Sequence, residues 1–481
     1  MASVNACELI RAVKGRRMFG PAETVFRRVS IDSRSVRQGD LFVAIVGKRF
    51  DGHDFVPDAI RKGAAGAVVS RSDSAFHVEA AGGVVVVMVN DTTEALQNLA
   101  AWHRRRFRCP AAAVTGSNGK TTTKDLTWAI LSRRWRTIRT DGSKNNHIGL
   151  PLTLLELDAE AEAAVFELGT SGAGELRDLV SICSPDVGCI TNIGPAHLEF
   201  FGSVENVARA KAELLEEMGE GCPVVLNADD DWFDWLRGKA KGPVVSFGIR
   251  RPAGFMAEEI HAGDGEVSFR LVANRLGVRR WVRMPVPGGH NAPNALAAAA
   301  ISSQLGAGIS DIEEGLSEAK LPPMRYEVAT LSGVKVVNDS YNANVTSAMC
   351  AISSFCEMSV SGKRIFVCGD MLELGRYARE AHAELGSFVR TKPIDYVIAF
   401  GELAPAVVEA ALPGGERSAC CRTIEEVVSV LNEVAAPGDA VLIKGSRANR
   451  MERIVEALKS RQPVPVGAGS RSFAPRKGEK R

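Results

Sequence analysis

The run Thr115-Gly116-Ser117-Asn118-Gly119-Lys120-Thr121-Thr122 holds residue types that can bind phosphate. An apolar stretch, Ala111 to Val114, precedes it and reads as a buried strand; Thr123 to Leu131 follows and reads as an amphipathic helix. A glycine loop at such a junction lets backbone N–H groups close around phosphates at the helix N-terminus. Lys120 then reaches the terminal phosphates, and the Thr121 hydroxyl can ligate Mg²⁺. The spacing points to ATP or GTP. The general pattern asks for a glycine at position 114, where Val114 stands. The bland alternative is an ordinary strand-to-helix turn.

Other candidates follow strand-like runs. Glu167 ends Ala163 to Phe166, where a carboxylate can hold Mg²⁺ near a phosphate loop or simply be solvated. His197 lies past a Gly194-Pro195 turn after Val187 to Ile190, and is either a ligand in the same crevice or a structural histidine. In the helix expected from Val204 to Met218, the residues Val204, Val207, Ala208, Lys211, Leu214, Leu215 and Met218 form one stripe at spacings of three and four. A lysine inside that stripe is functional, paired, or snorkelling to water. Asn291 and Asn294 open an alanine-rich helix, where their amides can read a base edge or cap the helix. Three more strand ends turn polar in the last third of the chain, at Asn338 to Asn344, Gly369 to Met371, and Lys444 to Arg447.

The elements that must position these residues read as α/β. A small unit with strands at Leu41 to Val46 and Ala67 to Ser70 precedes a strand at Val84 to Val89 and a helix at Thr92 to Phe107. From the phosphate loop to about residue 320, strands alternate with helices, which argues a parallel sheet covered on both faces. Pro322-Pro323 breaks the pattern. Strands at Val334 to Asn338, Arg364 to Gly369, Tyr396 to Phe400 and Ala440 to Lys444 then build a second α/β region. The expected division is 1–85, 86–322 and 323–462, with 463–481 a disordered basic tail rich in Pro, Gly, Ser, Lys and Arg.

The 481 residues are enough for about three domains. With 45% hydrophobic and 24% charged residues the chain can fill ordinary globular cores. A net charge of +2 supplies no bulk drive toward nucleic acid or membrane. No apolar run approaches the roughly 20 residues that span a bilayer. The N-terminal residues lack a signal-peptide pattern, and ten cysteines without C-x-x-C spacing suit reduced core positions. A cytoplasmic, monomeric protein is expected.

Taken together, these motifs resemble the Mur ligase family. The resemblance rests on the loop from Thr115 to Thr122, Glu167-Leu168-Gly169, Asn192-Ile193-Gly194-Pro195-Ala196-His197-Leu198, Ala210-Lys211-Ala212-Glu213, and His290-Asn291 with Asn294. Asp32-Ser33-Arg34 with Gly39 to Ala44, Asn145-Asn146 with Gly149 and Pro151 to Leu155, and Asp339-Ser340-Tyr341-Asn342-Ala343-Asn344 extend it over residues 25–460 or so. Ser171-Gly172 stands where the family member usually carries Asn-His, and Val345 where it has proline.

The resemblance implies three domains, namely a small uridine-binding α/β domain, a central phosphate-loop ATPase domain and a C-terminal Rossmann-like domain. It implies ATP-driven amide formation in peptidoglycan precursor synthesis. The substrates would be UDP-N-acetylmuramoyl-tripeptide and D-alanyl-D-alanine, with ATP and Mg²⁺. The third residue of the tripeptide, diaminopimelate or lysine, stays open. Alternatives are a ligase adding that third residue, a folylpolyglutamate synthetase, or a nucleotide-dependent switch. Site roles are implied too. Lys120, His197 and Lys211 would be catalytic. Gly116, Ser117, Asn118, Gly119, Lys120, Thr121 and Thr122 would cradle the nucleotide, with Asn291, Asn294 and Arg325, while Asp339 and Lys363 close from the third region. Thr121 and Glu167 would hold one Mg²⁺, and His197 with a carbamylated Lys211 a second. Asp32, Ser33, Arg34, Asn145, Asn146, Tyr341 and Asn342 would contact substrate.

Overall fold

A computed structural model describes residues 3–72, 83–107, 109–263, 265–415 and 417–460. The proposed tail, 463–481, lies outside them.

Three sheets carry the fold. The first has five strands in the order Arg16–Phe19, Val85–Met88, Gly66–Val69, Leu41–Val43, Val29–Ser30, all parallel except the first. Its three inner strands are short, mostly apolar runs buried on both faces, as parallel strands require. Val85–Met88 belongs to this sheet, so a boundary at residue 85 would cut one of its central strands.

The second sheet has nine strands. Its parallel part runs Phe255–Ala262, Val244–Gly248, Val224–Asn227, Val187–Ile190, Ala111–Thr115, Ala163–Glu167, Thr137–Arg139. Ala111–Thr115 comes first in the chain and lies between later strands on both sides. It is a topological switch point, where the following loops diverge and leave a crevice at the carboxyl edge. Register puts Glu167 beside Val114 and Ile190 beside Thr115. The three candidate loops therefore leave the sheet side by side.

The alternation expected to continue as parallel βα units fails after residue 255. Phe255–Ala262, Val267–Ala273 and Val278–Met284 form an antiparallel meander. Val267–Ala273 alternates buried and half-buried residues, the period-2 pattern of a sheet with one face packed. Val278–Met284 is the sheet's edge and exposes Arg279, Arg280, Trp281 and Arg283.

Helix Lys120–Leu131 packs beneath the phosphate loop against helices Ala292–Gln304 and Ile309–Ser317. Small side chains permit this. Ala297, Ala298, Ala299 and Ala300 are fully buried, and a Cβ at Gly315 would collide with the backbone of Ile130.

The third sheet, after the Pro322-Pro323 break, has the order Glu327–Leu331, Val334–Asn338, Ala440–Lys444, Arg364–Gly369, Tyr396–Phe400, Ser418–Cys421, parallel except the first. Its carboxyl edge faces the crevice of the second. No described helix is long and apolar enough to cross a membrane.

Candidate active site

The phosphate loop is built by its neighbours. Gly116 takes φ 143°, and a Cβ there would strike the Thr191 hydroxyl. Gly119 takes φ 78° as the cap of the helix that starts at Lys120, and a Cβ there would strike Asn294. Only glycine fits either place. The loop leaving Val187–Ile190 then clamps it. Ser117 N–H donates to Asn192 O (2.9 Å), Asn118 N–H to Asn192 Oδ1 (2.9 Å), and the Ser117 hydroxyl to Gly194 O (3.0 Å). Asn192, a residue of the quoted motif that carried no assigned role, is thus a scaffold residue, and so is its neighbour Thr191.

Lys120 donates to the carbonyls of Gly116 (2.8 Å) and Ser117 (3.2 Å), so its ammonium sits over the loop. Burial lowers its pKa, Glu167 raises it, and Arg325 lowers it. Glu167 is 2% exposed. One of its oxygens accepts from Asn145 Nδ2 (2.7 Å), while Oε2 is buried with no partner among the described residues. A buried carboxylate oxygen left unpaired is costly, and a hard cation is the chemistry that fits it. Thr121 Oγ1 accepts from Arg325 Nη2 (2.8 Å). Arg325 keeps a buried Nε–H without a partner and lies 4.0 Å from the Tyr341 ring centroid, so it offers an anion a donor from the third region.

Lys211 falls on the buried face of helix Val204–Glu217 at 2% exposure. Glu213 is buried beside it in sequence, yet its oxygens accept from Gly174 N–H (2.7 Å) and Arg177 N–H (3.1 Å). Among the described residues no group makes a hydrogen bond or ion pair with the Lys211 ammonium. Burial drives its pKa well down, and Lys120 adds to the push. His197 adopts a left-handed backbone, φ 54°, as the cap of the short helix Leu198–Phe201. Its Nδ1–H donates to Glu373 Oε2 (2.5 Å). Burial, Lys120 and Lys211 lower its pKa against the pull of Glu373. The described residues hold no trio of His, Cys, Asp or Glu able to take a metal by themselves. A cation here needs the hydroxyl, the lone carboxylate and phosphate oxygens together.

Asn291 and Asn294 are brought to the loop. Asn294 Nδ2 donates to Asn291 Oδ1 (3.1 Å), and Asn291 Nδ2 to Pro287 O (2.8 Å). Thr122 is buried in the first helical turn. Asn146 instead closes its own loop just ahead of helix Gly149–Leu154, accepting from Ile148 and Gly149 N–H (3.1 and 2.9 Å). Beside it, Gln97 donates to His147 O (3.2 Å), joining the helix that follows the first sheet to this loop.

Two expectations about the third region need correction. Lys363 is not brought to the crevice. It precedes strand Arg364–Gly369, at the amino edge of the sheet, and its ammonium donates to Val434 O (3.2 Å). The lysine at the carboxyl edge is Lys444, which the sequence places at a polar strand end without assigning it a role there. Its ammonium lies 2.5 Å from Asp339 Oδ2 and 3.0 Å from Asn342 O. Asp339 therefore spends its oxygens inside its own region, on Lys444 and on Tyr326 N–H (3.1 Å). Asn342 turns its own Oδ1 to Ala343 N–H (2.9 Å). The residue that crosses to the loop is Asn344, whose Nδ2 donates to Asn118 Oδ1 (2.8 Å).

In the first region, Asp32, Ser33 and Arg34 sit just beyond strand Val29–Ser30. Arg34 Nε and Nη2 grip the Asp32 carboxylate (2.9 and 2.7 Å) and hold its pKa down to about 2. Ser33 is buried, its carbonyl accepting from Lys62 (3.1 Å). The Ser171-Gly172 departure forms a turn closed by Glu175, which accepts from Ser171 N–H (2.8 Å). Val345 is buried at the first position of a helix capped by Asn344.

Three family models match this chain in order. They are the Mur ligase family catalytic domain at residues 25–104, the Mur ligase middle domain at 114–302, and the Mur ligase glutamate ligase domain at 324–447. The chain is 34% identical over 457 residues to a UDP-N-acetylmuramoyl-tripeptide–D-alanyl-D-alanine ligase of Bacillus subtilis, covering 94% of this chain and 97% of that protein. It is 35% identical to the Escherichia coli enzyme of the same name, covering 95% and 99%. A crystal structure of MurF from Acinetobacter baumannii superposes with a TM-score of 0.88 at 32% identity, covering 96% of this chain and 100% of that one. MurF from Thermotoga maritima in complex with ADP gives 0.79 at 30%, covering 90% and 97%. With a switch-point phosphate loop, a lone buried carboxylate beside it and a third region docked above, the chain belongs to the Mur ligase family.

Proposed function

We propose that this protein is an ATP-dependent carbon–nitrogen ligase that joins D-alanyl-D-alanine to UDP-N-acetylmuramoyl-tripeptide in peptidoglycan precursor synthesis. The observation that carries the reading is the buried, unpartnered Glu167 oxygen at the carboxyl edge that also holds Lys120 and Thr121. A strand-end carboxylate with no such role would be solvated or paired.

The reaction runs in two displacements. An oxygen of the tripeptide carboxylate attacks the γ-phosphorus of ATP, the bond to the bridging oxygen breaks, and ADP leaves. The amine of D-alanyl-D-alanine then attacks the acyl carbon of the acyl phosphate. Inorganic phosphate departs and the new amide nitrogen loses a proton. Little covalent work falls to the protein, so positioning and positive charge dominate. Lys120 and Arg325 supply that charge from two regions, and the loop amides supply donors. Asn291 and Asn294 bind the nucleotide. Asp32, Ser33 and Arg34 receive the uridine end, while Asn145 and Asn146, between the first sheet and Glu167, lie along the path of the peptide. Thr121 and Glu167 would hold one Mg²⁺ and His197, with Lys211, a second, and Mg²⁺ neutralises phosphate charge when bound.

Lys211 completes the set as a carbamate. A buried amine without a partner stays neutral. Neutral amine and CO₂ combine to a carbamate with release of one proton, which turns a buried neutral amine into an anionic oxygen ligand. Enzyme equilibrated with ¹³C-bicarbonate should show a carbamate carbon resonance that Lys211→Ala lacks. The variant should be folded, nearly inactive and partly restored by acetate. A wild-type spectrum without that resonance would remove the carbamate from the reading.

One assay tests the whole function. Phosphate release from ATP should require both UDP-N-acetylmuramoyl-tripeptide and D-alanyl-D-alanine. Release with neither present, or with a dipeptide precursor and a free diamino acid, would overturn it.

A further inference from the structure

Two non-glycine residues with left-handed backbones meet across the boundary between the second and third regions. His197 has φ 54° and Glu373 has φ 62°. Such conformations are strained for residues with a Cβ and persist where surrounding contacts over-determine them. Those contacts are present. Glu199 N–H donates to Glu373 O (3.0 Å), and the Tyr377 hydroxyl to Gly202 O (3.4 Å). Gly375, at φ 55°, lies so close to Glu199 that a Cβ would come 3.2 Å from its Cα. The loop after strand Arg364–Gly369 thus holds the whole His197–Gly202 segment. The Glu373 side chain adds the bond to His197 Nδ1 (2.5 Å).

That bond decides which imidazole nitrogen is free. A carboxylate accepting from Nδ1–H keeps the proton there and leaves the Nε2 lone pair available. Among the described residues Nε2 has no hydrogen-bond partner. The cations that act on the ring are Lys120 and Lys211, the two lysines of the phosphate crevice. The carboxylate comes from the third region and the imidazole from the second.

The geometry points to Glu373 as a positioning residue that orients His197 toward the phosphate crevice and completes the second cation site only when the third region is docked. The inference rests on the reading of His197 as a cation ligand. It joins closure to cation binding, so ATP bound without the third region in place would meet an incomplete site.

Mn²⁺ binding to the full-length enzyme with a non-hydrolysable ATP analogue, followed by electron paramagnetic resonance, reads the site without turnover. Glu373→Ala should weaken Mn²⁺ about 10- to 100-fold, the usual effect of losing a residue that orients a metal-ligating histidine. It should lower kcat by a similar factor and leave the KM for the UDP-linked substrate unchanged. Glu373→Gln keeps an acceptor oxygen for Nδ1–H and should retain most of the affinity and rate. Adding Glu373→Ala to His197→Ala should cost nothing further. If His197→Ala weakens Mn²⁺ but Glu373→Ala does not, or if the two losses add, the positioning role is overturned. If His197→Ala itself leaves Mn²⁺ binding intact, the ligand reading fails and the inference with it.

Discussion

Lys120 and Lys211 show how two lysines can share a crevice and act differently. Lys120 is satisfied by its own loop carbonyls and holds its ammonium over the phosphate loop. Lys211 sits on a buried helix face with no partner. Lys120→Ala should lower the ligation rate about 10²-fold or more, because its charge is spent on the transferring phosphoryl group. Stability should change by no more than about 1 kcal/mol, since the hydrogen bonds its ammonium makes among the described residues go to loop carbonyls. Near-normal turnover by the folded variant would contradict the phosphate-loop role.

His103 makes a different use of burial. It is fully buried, its Nε2–H donates to Leu157 O (2.8 Å), and its Nδ1 has no partner. Protonation would bury an unsatisfied N–H and a charge, so burial pushes the pKa from 6.5 down to about 4. Between those values the unfolded chain binds a proton that the folded chain refuses. Stability is therefore intact above 6.5 and falls on acidification toward 4, with a slope approaching about 1.4 kcal/mol per pH unit. Urea titrations at pH 7 and pH 5 should show the loss. His103→Gln should remove this part of the pH dependence whatever it does at pH 7, and an unchanged slope would show that other groups carry it.

At the scale of elements, each local strand–loop–helix passage could be read from residue order. Ala111 to Leu131 needed nothing more than an apolar run, two glycines and a helix start. Lys363 and Lys444 show where that reading ends. Both flank strands of one sheet and both look alike in sequence. Only the direction in which each strand meets the crevice separates them, since Lys363 precedes its strand and Lys444 ends one. Glu373 left no local signal, because its partner is 176 residues away. The meander after Phe255 was legible in principle from the alternation in Val267–Ala273. Asp32-Ser33-Arg34 belongs to the legible kind, a polar turn just past a strand. Removing either charge, by Asp32→Ala or Arg34→Ala, should raise the KM for the UDP-linked substrate about 10-fold or more and leave the ATP KM alone. A charged contact of this type contributes about 1.5–3 kcal/mol. Equal effects on both substrates would deny the first region its separate role.

At the scale of the whole molecule, the nucleotide crevice is shared property. Asn344 touches Asn118, Arg325 touches Thr121 and Glu373 touches His197, each bond reaching from the third region into the second. A nucleotide held in this crevice would therefore be held by the arrangement of regions and not by one loop. The far end of the central sheet has a different consequence. Val278–Met284 ends the sheet with unpaired backbone groups on its outer side, the template on which strands of separate molecules stack. Its outward residues include Arg279 and Arg283, paired with Glu258 and Glu266, and Arg280, which makes no ion pair among the described residues. A second copy laid against this strand would bring the charge of one Arg280 toward the other. Arg280→Thr would keep strand propensity and delete that repulsion. Light scattering of the variant should then report concentration-dependent aggregation at unchanged ligase activity. The arginine would be a guard on colloidal behaviour, set as far along the sheet as possible from the chemistry.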